Sequence, residues 1–258
     1  MEITTQQFKM IEHLLPVQRG NVKLSNIQVL NAVLYVAEHG CKWRGLPKYF
    51  GNWHSIYTRV NRWAKKGVLD DVFSVLQEAD VINIQVDLVS LDSTIIQVHP
   101  DGTGAFKKNG PQAIGKSRGG WSTKIHLVAA DDQTAVTFSL SPGQAGDAPE
   151  GRKLLKRLEN CGWEGAHVIM DKAYEGDETR QLVFDLNMEP VVPPKSNRLS
   201  PWKYDREMYK KRNEVERLFR RLKGFRRIFS RFEKLDTVFR FFIHFALIVD
   251  KLISVNRP

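Results

Sequence analysis

The sequence predicts an α/β fold, in which a mixed sheet flanked by helices follows a small all-α domain. With 258 residues, 42% of them hydrophobic, the chain can bury the core of one large and one small domain. Up to about residue 80 the apolar residues recur at helical spacing. From about Ile82, short apolar runs bounded by turn residues alternate with further helical patterns. We therefore place a helical domain at residues 1–80 and an α/β domain at residues 81–258.

The helical domain begins with two helices whose first turns show capping-box spacing. Thr4 is followed three residues later by Gln7, and Ser25 is followed by Gln28. The second helix has one apolar side and is expected to end at Gly40, because glycine readily adopts the left-handed conformation that terminates helices.

A third helix is expected from about His54 to Lys66, with an apolar side and a cationic side. The inward side is formed by apolar residues: Ile56, Tyr57, Val60, Trp63 and Ala64. The outward side carries cations: Arg59, Arg62, Lys65 and Lys66. This arrangement resembles a helix-turn-helix reader, whose second helix enters the major groove of DNA. The alternative is a helical cap that only packs on the larger domain.

The α/β domain opens with three expected strands. The first, Leu88–Asp92, is apolar and carries an acid at its end, and Ser122–Ala130 and Thr134–Leu140 form a hairpin. Between them, residues 100–120 are rich in glycine and lysine and predict a mobile loop. The cations of this loop are expected to contact the DNA backbone: Lys107, Lys108, Lys116 and Arg118.

Helices and strands then alternate. Asp147 and Glu150 have capping-box spacing, with Asp147 as the cap, and the apolar strand Ala166–Met170 runs into Asp171. A helix, a short strand, a basic helix and a final apolar helix follow. This order, β-β-β-α-β-α-β-α, is the ribonuclease-H-like topology, a mixed sheet with helices on both faces.

Three carboxylates occupy positions where this topology brings them together. The ends of the first and fourth strands lie side by side, so Asp92 and Asp171 are expected to be neighbours, and the basic helix can bring Glu216 over them. Three converging carboxylates repel one another unless a divalent cation neutralises them. Hard oxygen ligands favour Mg²⁺ or Mn²⁺, and we expect two ions that support an in-line phosphoryl displacement.

The basic helix carries Tyr209, Arg212, Glu216 and Lys223, whose offsets of three, four and seven place them on one helix face. From Lys195 to Arg240 the chain has 16 Lys and Arg against 6 Asp and Glu, a surplus equal to its whole net charge of +10. Dense arginine with interleaved aromatic residues is typical of nucleic-acid contacts. We therefore expect DNA contacts from Arg217, Arg220 and Arg221. The alternative is a solvated basic face.

The remaining features predict a cytoplasmic protein. Cys41 and Cys161 stand alone, without metal-ligand spacing, as is usual for thiols in a reducing compartment. The first residues, Met1 to Gln6, contain no apolar signal-peptide region. The apolar run Phe241–Val249 is too short to span a bilayer, so no membrane association is expected.

An ordered set of motifs resembles bacterial insertion-sequence transposases of the DDE type over nearly the whole chain. The set consists of Leu91-Asp92-Ser93-Thr94, residues 119–126 (GGWSTKIH), residues 141–144 (SPGQ), Asp171-Lys172-Ala173-Tyr174 and the Tyr-Arg-Glu-Lys pattern at 209, 212, 216 and 223. The last position of this pattern is commonly arginine in the family and is Lys223 here, which keeps the cation but loses bidentate geometry. The small N-terminal helical domain also resembles that of the family.

The resemblance implies a magnesium-dependent enzyme that cuts at the terminal inverted repeats of a mobile element and joins its 3′ ends to target DNA. It implies Asp92, Asp171 and Glu216 as catalytic metal ligands, with Tyr209, Arg212 and Lys223 in support. A homodimer or higher oligomer on double-stranded DNA, associated with the bacterial nucleoid, is the expected assembly. Two alternatives stay open: a nuclease of the same fold without strand transfer, and a domesticated DNA-binding protein that has lost catalysis.

Overall fold

The chain forms two compact units in this computed structural model, which describes residues 1–20, 23–81, 87–106, 109–159 and 161–254. The first unit combines residues 1–79, 98–112 and 221–258, and the second combines residues 80–97 and 113–220. The division of function at residue 80 stays a prediction, because compactness alone does not assign a role to either unit.

The first unit is built mainly from helices. Its α-helices are α1 (Thr5–Lys9), α2 (Asn26–His39), α3 (Trp53–Lys66), α4 (Val68–Val81), α9 (Arg226–Phe229) and α10 (Asp236–Ser254). A two-residue strand, β7 (Ser230–Arg231), lies between the last two helices. Both capping boxes are present, and Gly40 ends α2 in the left-handed conformation with φ of 65°, so these predictions are confirmed. Among the described helices, none is long and apolar enough to cross a membrane.

The second unit holds a mixed sheet of six strands. The strands are β1 (Leu88–Val98), β2 (Gly115–Ser117), β3 (Gly120–Ala129), β4 (Ala135–Pro142), β5 (His167–Met170) and β6 (Glu189–Val191). The helices of this part of the chain are α5 (Asp147–Leu155), α6 (Asp177–Asp185), α7 (Arg206–Tyr209) and α8 (Asn213–Lys223). The order across the sheet is β2-β3-β1-β5-β6, with β4 also paired to β3. Since β3 is antiparallel and β5 is parallel to β1, the predicted ribonuclease-H-like mixed sheet is confirmed.

Strand β1 is longer than the sequence predicts. Asp92 is the fifth of its eleven residues, so the expectation that this acid ends the strand is wrong. The strand continues because the stretch after Asp92 pairs with β3, from Ser93 opposite His126 to Gln97 opposite Ser122. The predicted loop at residues 100–120 also contains more structure than expected, namely a short 3₁₀ turn and strand β2.

One face of the sheet is covered by α5 and α6. Leu91 and Met170 belong to the apolar cluster on this face, together with residues of both helices. Tyr174 is fully buried in the same cluster, and its ring lies so close to Gly151 of α5 that an added Cβ would be 2.5 Å from a ring carbon. A side chain at position 151 would therefore force the helix away from the sheet.

Candidate active site

Asp92 and Asp171 occupy neighbouring positions at the centre of the sheet. The parallel pairing of β1 and β5 ends with Leu91 opposite Met170, so the two aspartates are the next residues along adjacent strands. Because side chains alternate along a strand, both aspartates lie on the face opposite Leu91 and Met170. Their carboxylates are fixed locally by backbone donors: the N–H of Ser93 donates to Asp92 (2.7 Å), and the N–H of Lys172 donates to Asp171 (2.6 Å).

Arg212 connects Asp92 with Glu216. Its Nη1 donates to Oδ2 of Asp92 at 3.2 Å, and its Nη2 lies 2.6 Å from Oε1 of Glu216. The Asp92 side chain is 16% exposed and the Glu216 side chain 47% exposed, so this chain of charges runs from the sheet towards solvent. The Arg212 guanidinium therefore contacts one acid four residues away on its own helical segment, Glu216, and another 120 residues away in the chain, Asp92.

The pKa of Asp92 is raised to about 6. Burial is the largest cause, since a low-dielectric environment disfavours the charged carboxylate. The Ser93 N–H and the Arg212 guanidinium lower this pKa, whereas the carboxylates of Asp171 and Glu216 raise it. Burial therefore disfavours the charged form of Asp92 more than Arg212 and the Ser93 N–H favour it, and an added cation would favour the charged form.

The three carboxylates are not arranged to share one ion. Within the described ranges, no group of three or more His, Cys, Asp or Glu side chains is close enough to hold a metal. The expectation that Asp92, Asp171 and Glu216 lie at metal-sharing distance is therefore not met. The physical reason is Arg212, whose guanidinium takes the place between Asp92 and Glu216 that a cation would fill.

The other residues of the Tyr-Arg-Glu-Lys pattern lie on a helical segment with a tighter turn in it. A 3₁₀ turn at Lys210–Arg212 separates α7, which ends at Tyr209, from α8. The Arg212 guanidinium carbon is 5.9 Å from the centre of the Tyr209 ring. Lys223 is the last residue of α8, and burial lowers the pKa of its ammonium group.

A second polar cluster, which sequence reasoning missed, lies on the other face of β1. The Asp147 carboxylate accepts hydrogen bonds from the Ser93 hydroxyl and from the Lys124 ammonium, both at 2.8 Å. The predicted role of Asp147 as a helix cap is wrong, since Gly146 holds the cap position without a side-chain bond. The Asp147 side chain instead forms an ion pair with Lys124, which is buried in β3. A lysine inside a strand that is otherwise buried was the sequence signal for this cluster.

Helix α3 places its predicted cations in unequal environments. Arg59 donates from Nη1 to the carbonyl of Leu24 at 2.9 Å, whereas Arg62, Lys65 and Lys66 are exposed. Its apolar side is buried except for one residue. Tyr57 is 39% exposed, so its predicted inward position is wrong. It lies at the edge of the helix, where its ring contacts Trp43 edge to face.

The remaining predicted DNA contacts are mostly surface cations. Lys116 and Arg118, at the β2–β3 turn, and Arg217 and Arg220, on α8, are exposed. Arg221 instead forms a bidentate ion pair with Asp250, at 2.7 and 3.0 Å. Lys107 and Lys108 lie outside the described residues.

Two family models match different parts of the chain, and both describe transposases. Residues 86–249 match the family model described as "Transposase DDE domain", and residues 3–73 match "Putative transposase of IS4/5 family". A Brucella ovis protein described as "Putative transposase for insertion sequence element IS6501" is 35% identical over 127 residues, which are 48% of this chain and 94% of that protein.

Two solved structures show distant similarity. The piggyBac transposase synaptic complex with hairpin DNA has a TM-score of 0.38 and 9% identity, covering 76% of this chain and 48% of that one. The Mos1 mariner paired end complex with Mn has a TM-score of 0.29 and 12% identity, covering 72% of this chain and 64% of that one. This chain thus spans less than two thirds of each of these two structures.

Proposed function

We propose that this chain, which belongs to the transposase DDE domain family, binds the terminal inverted repeats of an insertion sequence, cuts the DNA there and joins the 3′ ends to a target. The observation that carries the proposal is the adjacent placement of Asp92, on β1, and Asp171, directly after the parallel strand β5, with Glu216 linked to Asp92 through Arg212. The surplus of cations around the Glu216 helix supports a polyanionic substrate.

The donor set suits divalent metal. Asp92, Asp171 and Glu216 offer only carboxylate oxygens, which are ligands for Mg²⁺ or Mn²⁺, and burial raises the pKa of Asp92, so that an added cation would favour its charged form. Two bound ions would activate a water or a 3′-hydroxyl and stabilise the leaving oxygen. The protein's own part is to hold Asp92 and Asp171 on the rigid sheet and to bring Glu216 to them from α8.

Arg212 must change partners for the three carboxylates to close on an ion. Its guanidinium now neutralises Asp92 and Glu216. Once released, it can donate two parallel hydrogen bonds to the scissile phosphate, a geometry that arginine favours. Tyr209 lies against the same guanidinium and can limit the orientations that it adopts. Lys223, at the end of α8, would add a further cation for the phosphate backbone.

DNA contacts outside the catalytic residues would come from exposed cations. Exposed members of the predicted set that would make these contacts are Arg62, Lys66, Lys116, Arg118, Arg217 and Arg220. Cutting both ends of an element and joining them to one target also requires more than one active site, so we include a homodimer or higher oligomer on DNA. The bacterial cytoplasm is where such DNA is found.

The test is a reaction with defined products. The protein is incubated with Mg²⁺, duplexes carrying the element ends and a target plasmid, and all products are sequenced. Ends joined to target DNA are expected. Ends that are cut but never joined would indicate a nuclease, and binding without cutting would indicate a DNA-binding protein that has lost catalysis.

Three substitutions examine the catalytic residues. Asp92→Asn, Asp171→Asn and Glu216→Gln should each abolish cleavage and leave DNA binding largely intact, because they remove ligands and no cations. Glu214→Gln is the matched control, since it changes a neighbouring acid of the same helix. Cutting at the wild-type rate by any of the first three variants would remove that residue from the site.

A further inference from the structure

A groove of about 600 Å³ in the first unit is lined on one side by α3 and on the other by the segment before α2. Five of its lining residues are cations: Arg19, Lys23, Arg59, Arg62 and Lys66. Among the described residues that line it, none is acidic. A groove with this charge is suited to a polyanion.

Arg59 differs from the other cations that line the groove, because its guanidinium already donates a hydrogen bond within the protein. Its guanidinium is tied to the Leu24 carbonyl across the groove, at 2.9 Å. Burial lowers the pKa of Arg59, and the nearby charge of Arg62 lowers it further. Arg62 and Lys66 are exposed, and four residues of helix separate them by about 6 Å along the axis.

The size of the groove limits what it can hold. About 600 Å³ is within the range of small-ligand sites, so it accommodates a short stretch of one backbone and not the cross-section of a duplex. Its apolar wall includes Val17, which is 89% exposed. Arg59, Arg62 and Lys66 line the groove from α3, and Arg19 and Lys23 line it from the segment before α2.

We propose that this groove binds the phosphodiester backbone of one DNA strand, through Arg19, Lys23, Arg62 and Lys66, with Arg59 as the residue that holds its two sides together. The proposal rests on the proposed function and changes the expected role of α3. The helix then contributes phosphate contacts, which position the DNA, and base edges are read elsewhere. Lys65 takes no part, although it is adjacent to Lys66.

Lys65 and Lys66 provide a matched pair for the test. Both are exposed lysines in the last turn of α3, so either alanine variant removes the same favourable charge from the helix end, but only Lys66 lines the groove. Dissociation constants are measured at several salt concentrations on element-end DNA and on random duplex. Lys66→Ala, Arg62→Ala and Arg19→Ala should each reduce the log–log salt slope by about one unit on both DNAs. Lys65→Ala should leave it unchanged.

Three results would overturn the groove proposal. One is an equal change of slope for Lys65→Ala and Lys66→Ala. Another is unchanged binding for all three groove variants. The third is a loss confined to element ends, about tenfold or more for a lost base contact, which would make these residues base readers. Thermal melting of each variant verifies that the fold is retained.

The cleavage assay separates this proposal from the proposed function. A protein that binds DNA through the groove but never cuts would contradict the proposed reaction and leave the groove intact. A protein that cuts and joins normally with all the groove variants, at unchanged salt dependence, would contradict only the groove.

Discussion

Replacing Asp92 with asparagine is expected to stabilise the metal-free protein at pH 8, although it removes a residue of the candidate site. The pKa of this carboxyl is about 6 in the folded protein, against an ordinary value of 3.8, chiefly because of burial. A raised carboxyl pKa means that the folded state holds the proton more tightly than the unfolded state. Stability is therefore lost as the pH rises from 3.8 through 6, and the full cost is present above pH 6.

The magnitude follows from the difference between these two pKa values. One pKa unit corresponds to about 1.4 kcal/mol, so ionised Asp92 costs about 3 kcal/mol at pH 8 and less than about 1 kcal/mol at pH 4. For a protein of this size, about 3 kcal/mol corresponds to an increase of roughly 6–12 °C in melting temperature. Asparagine keeps a similar shape and the acceptor for the Ser93 N–H but carries no charge to desolvate.

The assay is urea unfolding of wild type and Asp92→Asn, with a chelator present, at intervals from pH 4 to pH 8. Asp185→Asn is the control, because Asp185 is an exposed acid of the same unit. The stability gain of Asp92→Asn should grow by about 2–3 kcal/mol across this range, whereas the control should show no such trend. A variant that is less stable than wild type at pH 8, or a gain that is the same at every pH, would refute the reasoning.

Magnesium should remove most of this difference in stability between wild type and Asp92→Asn. A ligand at 100 times its dissociation constant stabilises the folded state by about 2.7 kcal/mol. Wild type should gain this stability at pH 8, and Asp92→Asn should gain much less because it lacks one carboxylate of the site. Equal stabilisation of both proteins would place the ion elsewhere.

Two further predictions concern single contacts. Arg212→Ala should slow single-turnover cleavage of fully bound DNA. Arg217→Ala should instead reduce the salt dependence of binding by about one log–log unit and leave turnover unchanged. If Arg212→Ala changed only the affinity for DNA, Arg212 would have no role in the reaction. Gly151→Ala should lower the free energy of unfolding by about 1–3 kcal/mol in urea titrations, because the new Cβ would collide with Tyr174. Gly45→Ala, where nothing lies within 4 Å of the added carbon, should change stability little, and similar losses in both variants would contradict this packing argument.

Local patterns were sufficient to predict much of the fold. The capping boxes at Thr4 and Ser25 and the terminating Gly40 each act within one turn of helix, so the adjacent residues determine them. The length of β1 could not be predicted in the same way. Its second half mixes polar and apolar residues without the continuous apolar run of the first, and β3 supplies partners for its backbone from residues more than twenty positions away.

In the candidate site, too, contacts between residues close in sequence could be predicted and contacts between distant residues could not. The spacing of Arg212 and Glu216 predicts their contact, because side chains four residues apart on a helix are neighbours. The contact of Arg212 with Asp92 joins residues 120 positions apart, and no local pattern encodes it. Lys124 was missed for a related reason, since its partner Asp147 lies on another element and the sequence offered that acid as a helix cap.

In the proposed reaction, the position of Arg212 four residues before Glu216 would give this side chain two successive roles. Without a metal, the guanidinium supplies the positive charge that Asp92 and Glu216 require, and this limits the cost of holding a half-buried pair of acids together. A divalent ion bound by the carboxylates would make that charge redundant. Arg212 remains four residues from Glu216 and would then be able to bind a phosphate. Under the proposed function the same side chain would serve first the acids and then the phosphate, so Arg212 is expected to act on turnover more than on affinity.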